Sequence, residues 1–223
     1  MIDPRAIHLM KVLRRQPGDS FDAGLINGPM GKGTLREATK DHLILEFRWG
    51  SPPPPPDPVT LVIGLPRPQT ARKILQEATS LGVTALHFVQ VSRSEPSYAE
   101  STLWNSGEWQ RHLDAGAAQA FCTRVPTVTY HQTLSEVVAT FPDPDNRIAL
   151  DNYESPIRLS ACPFSSDIPI VCALGPERGW TADDRQILRS GGFKFAHLGT
   201  RVLRLETAVV AALTLLKAQR NLM

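Results

Sequence analysis

The sequence predicts an α/β domain with a mostly parallel sheet, preceded by a small β-rich domain. Apolar strand-like runs alternate with helix-like patterns through residues 59–223, and a proline-rich run at 51–58 separates this part from the residues before it. Alternating strands and helices are typical of a parallel sheet covered by helices. We therefore expect a small domain at 1–50, a linker at 51–58 and an α/β domain at 59–223.

The composition is that of an ordinary globular protein. Apolar residues make up 42% of the 223 residues and charged residues 21%. No run approaches the roughly 20 apolar residues of a membrane span, and no signal segment opens the chain, so we expect a cytoplasmic protein without membrane contact. Three scattered cysteines and six histidines lack metal-ligand spacing, so no metal is expected. The net charge of +2 permits nucleic-acid binding without arguing for it.

The first 50 residues hold two apolar segments, at 8–13 and 43–49, on either side of a glycine-rich stretch at 24–33. The second segment alternates as a strand does. So short a piece can bury only a modest core. The prolines of 51–58 lack backbone donors and favour an extended chain, which indicates a stiff spacer or a disordered linker.

The elements expected after the linker follow one another in a regular order. The strands are predicted at residues 59–65, 84–91, 127–130, 147–150, 168–174 and 193–198. The helices are predicted at residues 68–81, 105–120, from 133 onward, 182–189 and 205–217. In the second helix Trp109, Leu113 and Ala117 form one stripe at four-residue spacing.

The first candidate site motif is Leu-Gly-Pro-Glu-Arg-Gly-Trp-Thr at 174–181, where an apolar strand gives way to a helix. Thr181 and Asp184 have the spacing of a capping box. Glycines at the carboxyl end of a strand let a ligand approach the backbone, because no Cβ stands in the way. By itself the motif fits a tight strand-to-helix turn equally well.

A second glycine turn follows at residues 198–208, so the two turns could flank one ligand. Arg201 and Arg204 lie in it, and buried arginines need carboxylates, phosphates or RNA as partners. Glu177 and Glu206 are the acidic candidates, and one alternative is a network of ion pairs among Arg201, Arg204 and Glu177 that locks the loops. Both interpretations can hold together.

These two motifs resemble the ribosomal RNA small subunit methyltransferase E family. Residues 175–180 fit its Gly-Pro-Glu-x-Gly-aromatic pattern, and residues 198–208 fit Leu-Gly-x-Arg-x-Leu-Arg-x-Glu-Thr-Ala. Upstream, residues 8–19 look like the opening of the family's PUA-like RNA-binding domain. The resemblance covers nearly the whole chain and is strongest toward the C-terminus.

The resemblance implies a SPOUT-class domain whose C-terminal part is threaded into a deep trefoil knot and binds S-adenosylmethionine. Pattern reasoning alone would give an unknotted sheet, since knots are rare. A homodimer is also implied. The cofactor-binding residues expected on this basis are Leu150, Leu174, Gly175, Pro176, Glu177, Gly179, Leu198, Gly199, Arg201, Val202 and Leu203.

The activity implied is transfer of the methyl group to nitrogen 3 of a uridine in small-subunit (16S) ribosomal RNA. The protein must align that nitrogen and help it to lose its proton, or stabilise the resulting anion. Arg201, Arg204 and Arg124 are the candidate catalytic residues, because guanidinium is always charged. No residue can be assigned as a base.

The expected contacts with ribosomal RNA come from basic side chains. The candidates are Lys11, Arg14, Arg15 and Arg93. Such side chains bind phosphates, but each one could equally be an ordinary solvated group.

The sequence also departs from the family pattern. Where relatives carry Glu-Gln and then Arg, residues 118–122 read Ala-Gln-Ala-Phe-Cys, and Arg178 replaces the first glycine of a Gly-Gly pair. These changes largely spare the cofactor loops. Two alternatives therefore stay open: a methyltransferase of the same class that acts on another RNA nucleotide, and a non-catalytic RNA-binding or ribosome-assembly protein of the same fold.

Overall fold

A computed structural model describes residues 3–141, 145–165 and 168–223 of the chain. The described residues divide into two compact units. One comprises the chain up to Pro55 together with Cys122–Arg124, and the other comprises Pro56–Phe121 and Val125–Met223.

The first unit is built on a three-stranded antiparallel sheet. A short helix α1 (Pro4–Ile7) runs into one turn of π-helix (His8–Val12), and strands β1 (Ser20–Gly24), β2 (Met30–Ala38) and β3 (Leu43–Trp49) follow in that spatial order. The strand predicted at 43–49 is confirmed. The glycine-rich stretch contains the end of β1 and the start of β2, which the sequence pattern did not predict.

Residues 122–124 join this unit through hydrogen bonds. The hydroxyl of Thr123 donates to the carbonyl of Gly28 at 2.6 Å, and the amide of Asn27 donates to the carbonyl of Thr123 at 2.8 Å. The guanidinium of Arg124 donates to the carbonyls of Pro53 and Pro54 at 3.3 and 3.2 Å. The proline run therefore supplies acceptors to this segment.

The second unit contains a seven-stranded sheet in which every pairing is parallel, so the predicted mostly parallel α/β sheet is confirmed. The spatial order is β6-β5-β4-β9-β7-β10-β8. The predicted strands agree with the observed ones within two residues at each end, and Ile157–Arg158 is an additional short strand. The strands are β4 (Asp57–Gly64), β5 (Val83–Val89), β6 (Thr127–Thr129), β7 (Arg147–Leu150), β8 (Ile157–Arg158), β9 (Ile170–Leu174) and β10 (Lys194–His197).

Helices cover both faces of this sheet. They are α2 (Pro68–Ser80), α3 (Thr102–Asn105), α4 (Glu108–Gln119), α5 (Leu134–Ala139), α6 (Ala182–Ser190) and α7 (Leu205–Gln219). The single helix predicted at 105–120 is wrong in its first turn, because Gly107 at φ +72° separates α3 from α4. Leu113 and Ala117 of the predicted stripe are buried.

The two faces have separate apolar cores. Helices α2, α4 and α7 bury residues such as Ile74, Leu113 and Leu213 on one side, and α5 and α6 bury residues such as Val137 and Leu188 on the other. This double layer leaves the carboxyl edge of the sheet as the place where loops can form a site. Among the helices of the described residues, none has the length and apolar character that a membrane crossing requires.

Candidate active site

A cavity lies at the carboxyl ends of β7, β9 and β10, which are neighbours in the sheet. Its walls come from the loops that follow these strands and from the first turns of α7. The lining residues are Leu150, Asp151, Asn152, Tyr153, Leu174, Gly175, Pro176, Glu177, Gly179, Trp180, His197, Leu198, Arg201, Val202, Leu203, Leu205 and Ala208. The two glycine turns therefore line one cavity, as the sequence predicted.

All the residues predicted to bind a cofactor line this cavity except Gly199, which lies in the same loop but is not part of the lining. Leu150 and Leu174 are buried at the base, while Val202 and Leu203 are exposed at 79% and 38%. Their role in binding stays a prediction.

The loop after β9 is a tight turn. The amide of Gly179 donates to the carbonyl of Pro176 at 2.7 Å. A Cβ on Gly175 would lie 3.1 Å from backbone atoms of Gly179 and Trp180, so any other residue would require the backbone of this loop to move by a few tenths of an ångström. The buried Trp180 ring donates from Nε1 to the carbonyl of Leu150 at 3.0 Å, which joins this loop to the end of β7.

Helix α6 begins with the predicted capping box. The hydroxyl of Thr181 accepts from the amide of Asp184 at 3.1 Å, and the carboxylate of Asp184 accepts from the amide of Thr181 at 2.9 Å. This reciprocal pair satisfies two donors at the start of the helix and fixes where the loop ends.

In the loop after β10, the amide of Gly199 donates to Nδ1 of His197 at 3.1 Å. A neutral His197 ring therefore carries its proton on Nε2 and is a donor there. Gly199 has φ +132°, and no atom lies within 4 Å of an added Cβ. Only the backbone conformation requires glycine at this position. His197 lines the cavity, although the sequence motif did not single it out.

The alternative in which Arg201, Arg204 and Glu177 form a network of ion pairs is not found. Within the described ranges, no salt bridge joins either arginine to a carboxylate, and both residues are exposed. The carboxylate of Glu177 instead accepts from the amide of Arg67 at 3.2 Å. Glu206 pairs with Lys73 at 3.0 Å, and a hydrogen bond from its own backbone amide together with Lys73 lowers the pKa of Glu206.

Sequence reasoning missed the segment after β7. The Asp151 carboxylate accepts from the amides of Tyr153 and Glu154 at 2.6 and 2.8 Å and from Nε of Arg185 at 2.8 Å. Both charged side chains of this ion pair are nearly inaccessible, at 2% for Asp151 and 10% for Arg185. An acidic residue directly after a buried strand is the signal that could have pointed to it.

The other predicted site residues lie outside the cavity lining. Arg124 belongs to the first unit and binds backbone carbonyls there. Lys11 and Arg14 are exposed in the same unit, and Arg15 is half-buried. Arg93 is exposed in the second unit, where its Nη1 donates to the carbonyl of Arg178 at 2.5 Å. Their catalytic or RNA-binding roles stay predictions.

The described residues include no cluster of metal ligands. Across the parts of the chain that the structure describes, no group of three or more His, Cys, Asp or Glu side chains could hold a metal ion. The cavity is lined by apolar and aromatic residues, glycines and a few polar residues.

Comparison with known proteins first gives the class of protein to which the second unit belongs. A family model described as an RNA methyltransferase domain matches residues 53–217, so the second unit with this cavity is such a domain. The ribosomal RNA small subunit methyltransferase E of Treponema pallidum is 33% identical over 229 residues, covering 98% of this chain and 84% of that protein. The chain belongs to the ribosomal RNA small subunit methyltransferase E family.

Other relatives and solved structures agree. The ribosomal RNA small subunit methyltransferase E 1 of Borreliella burgdorferi is 27% identical, covering 94% of this chain and 88% of that protein. The Neisseria gonorrhoeae ribosomal RNA small subunit methyltransferase E, solved bound to S-adenosyl methionine, gives a TM-score of 0.82 at 24% identity, covering 96% and 89% of the two chains. A Legionella pneumophila protein in complex with the same cofactor gives 0.83 at 19%, covering 97% and 90%. Both likenesses establish the fold.

Proposed function

We propose that this chain transfers a methyl group from S-adenosylmethionine to nitrogen 3 of a uridine in small-subunit ribosomal RNA. The observation that carries the proposal is that the two glycine loops and the end of β7 line one cavity at the carboxyl edge of the sheet. Family membership supports the reaction class and the RNA. The choice of uridine rests on the resemblance of the motifs.

The residues present fit the methyl donor. Leu150, Leu174, Leu198 and Leu203 supply apolar walls for a planar adenine, and the backbone of the two loops supplies hydrogen-bonding edges. Gly175 has no side chain, so the loop backbone itself forms the wall there. When bound, the donor supplies an electrophilic methyl group on a sulfonium.

Arg201 is the residue to which we assign stabilisation of the uridine anion. It lines the cavity, it is exposed, and no salt bridge in the described residues engages its guanidinium. A fixed positive charge favours loss of the imide proton and stabilises the negative charge that forms on the base. Arg204, the residue that precedes α7, and Arg124 are second choices, because Arg204 is not part of the lining and Arg124 binds carbonyls of the proline run.

The wider organisation that we propose follows the family resemblance. Residues 1–50 form a PUA-like RNA-binding domain, 51–58 a linker and 59–223 a knotted SPOUT domain that acts as a cytoplasmic homodimer. The loops after β9 and β10 are the parts of the chain that the knot would bring together, and their shared cavity supports it. Lys11, Arg14, Arg15 and Arg93 are proposed to contact RNA phosphates.

A methyl-transfer assay tests the proposal. The purified chain is incubated with methyl-labelled S-adenosylmethionine and small-subunit RNA from cells lacking the protein, and the nucleosides are then separated by mass spectrometry. We expect 3-methyluridine as the labelled product. Binding of the donor without transfer to any RNA would contradict catalysis and favour an assembly protein.

One observation favours a second candidate, a methyltransferase of the same fold that acts on another nucleotide. Arg178, at a glycine position of the family motif, extends from the β9 loop and pairs with Glu95 at 3.5 Å. A label on a nucleoside other than 3-methyluridine would establish this candidate and exclude the first.

The role of Arg201 is tested by Arg201→Ala, with Arg111→Ala as the matched control on the exposed side of α4. Removal of one group that stabilises developing negative charge costs about 100-fold in kcat. We expect that loss for Arg201→Ala with an unchanged melting temperature, and no loss for Arg111→Ala. Equal activity of the two variants would contradict the assignment.

A further inference from the structure

Tyr153 is an aromatic residue at the cavity that no motif accounts for. Tyr153 lines the cavity, yet it is 80% exposed, more than the other large apolar residues of the described chain. An exposed aromatic ring beside a cavity offers a flat apolar face and a polar hydroxyl to a ligand.

The segment that carries Tyr153 is held firmly. The Asp151 carboxylate accepts a hydrogen bond from the amide of Tyr153 at 2.6 Å, and the amide of Asp151 donates to the carbonyl of Ala196 in β10 at 3.0 Å. The hydroxyl of Ser155 donates to the same carbonyl at 2.9 Å. These bonds tie the segment to the sheet at both ends, so the backbone position from which the ring extends is fixed by the fold.

Arg185 adds a contact to the ring itself. Its guanidinium carbon lies 5.7 Å from the centre of the Tyr153 ring, and the same side chain forms the buried pair with Asp151. The Arg185 guanidinium thus contacts both the Asp151 carboxylate and the Tyr153 ring. Most of the ring surface remains open to a planar group that arrives from solution.

On the basis of the methyl transfer proposed above, we propose that the Tyr153 ring is the surface on which the target base of the RNA stacks. The buried Leu150 and Leu174 suit the adenine of the donor, whereas Tyr153 is the most exposed of the apolar residues that line the cavity and is open to a second planar group. A base must leave its own stack to reach the methyl carbon, and aromatic side chains replace the lost stacking. Tyr153 would thereby position the acceptor without taking part in proton transfer.

The test compares Tyr153→Ala and Tyr153→Phe with Phe121→Ala, which removes an exposed aromatic side chain outside the cavity lining. Base stacking on an aromatic ring corresponds to a factor of roughly 10 to 100 in RNA affinity. Four quantities are measured for each variant: RNA affinity by fluorescence anisotropy with S-adenosylhomocysteine present, KM and kcat for RNA, donor affinity by calorimetry, and molecular mass by light scattering.

We expect Tyr153→Ala to weaken RNA binding and raise the KM for RNA by about 10- to 100-fold, with kcat reduced less. Donor affinity and mass should stay as in the wild type. Tyr153→Phe keeps the ring and should restore RNA affinity, and Phe121→Ala should match the wild type.

Four results would overturn the inference. Loss of donor affinity in Tyr153→Ala would place the ring against the cofactor, and a smaller mass would make it a contact between two copies of the chain. RNA affinity equal to that of the wild type, or absent in the wild type itself, would exclude stacking. A wild type that binds RNA without methylating it would contradict the proposed function but not the role of Tyr153. The anisotropy comparison would still test that role.

Discussion

Replacement of Asp151 by Asn should destabilise the second unit by about 3 kcal/mol. The Asp151 side chain is 2% exposed and accepts three hydrogen bonds, two from backbone amides and one from Nε of Arg185 at 2.8 Å. An asparagine oxygen can keep the amide bonds, but the guanidinium then loses its buried counter-charge. Loss of one member of a buried ion pair costs about 3–5 kcal/mol, and Glu154 at 3.5 Å from Arg185 places this case at the lower end.

The assay is urea unfolding at pH 7, followed by circular dichroism, for four proteins: wild type, Asp151→Asn, Arg185→Met and the double variant. Since the double variant leaves no buried charge unpaired, its loss should be smaller than the sum of the single losses by about 2 kcal/mol. Glu77→Gln, on an exposed position of α2, is the control and should change stability by less than about 0.5 kcal/mol. Additive losses, or an Asp151→Asn protein as stable as the control, would refute the reasoning.

Three further predictions concern the loop after β10, the ion pair between α2 and α4, and the cysteines. Gly199→Ala should lower donor affinity at least about 10-fold in calorimetry, because φ +132° strains any other residue by about 1–3 kcal/mol; unchanged affinity would contradict this. Arg72 and then His112 lower the pKa of Glu108 to about 2, so the stability from this pairing is present above about pH 4.5 and is lost as the pH falls toward 2. Glu108→Gln should therefore melt below the wild type at pH 7 but not near pH 2, and a constant difference would argue against the pairing. Burial raises the pKa of Cys172 to about 12, so iodoacetamide at pH 8 should label the partly exposed Cys122 and leave Cys172 unlabelled in native protein, as peptide mass spectrometry would detect.

The central strands of the second sheet were predictable because they are buried and carry runs of apolar residues. β7 and β9 are buried at every position, although β7 begins with Arg147, and β4 is buried over its last four residues. The antiparallel sheet of the first unit is different. β1 has only five residues, and β2 carries glycines and exposed charges, so no apolar run marks either strand.

The two glycine loops of the site were predictable because glycine at the end of a strand indicates a turn or a close approach of the backbone. A short stretch of sequence is enough to recognise it. Asp151 and Tyr153 were not predictable, because their importance depends on Arg185, which is 34 residues away from Asp151 in the sequence. The alternative of an ion-pair network around Arg201 and Arg204 could not be tested from the sequence for the same reason. In the fold Glu177 accepts from the amide of Arg67 and Glu206 pairs with Lys73 of α2, while Arg204 adds only the smallest of the effects that lower the pKa of Glu206.

The cavity takes its walls from three stretches of chain, 150–153, 174–180 and 197–208. The third stretch reaches the first turn of α7, so a chain that stops before residue 197 lacks one wall of the cavity. Binding of S-adenosylmethionine therefore reports that the loops after β7, β9 and β10 have come together. A donor at 100 times its Kd should stabilise the chain by about 2.7 kcal/mol and should not stabilise a form that stops at residue 196.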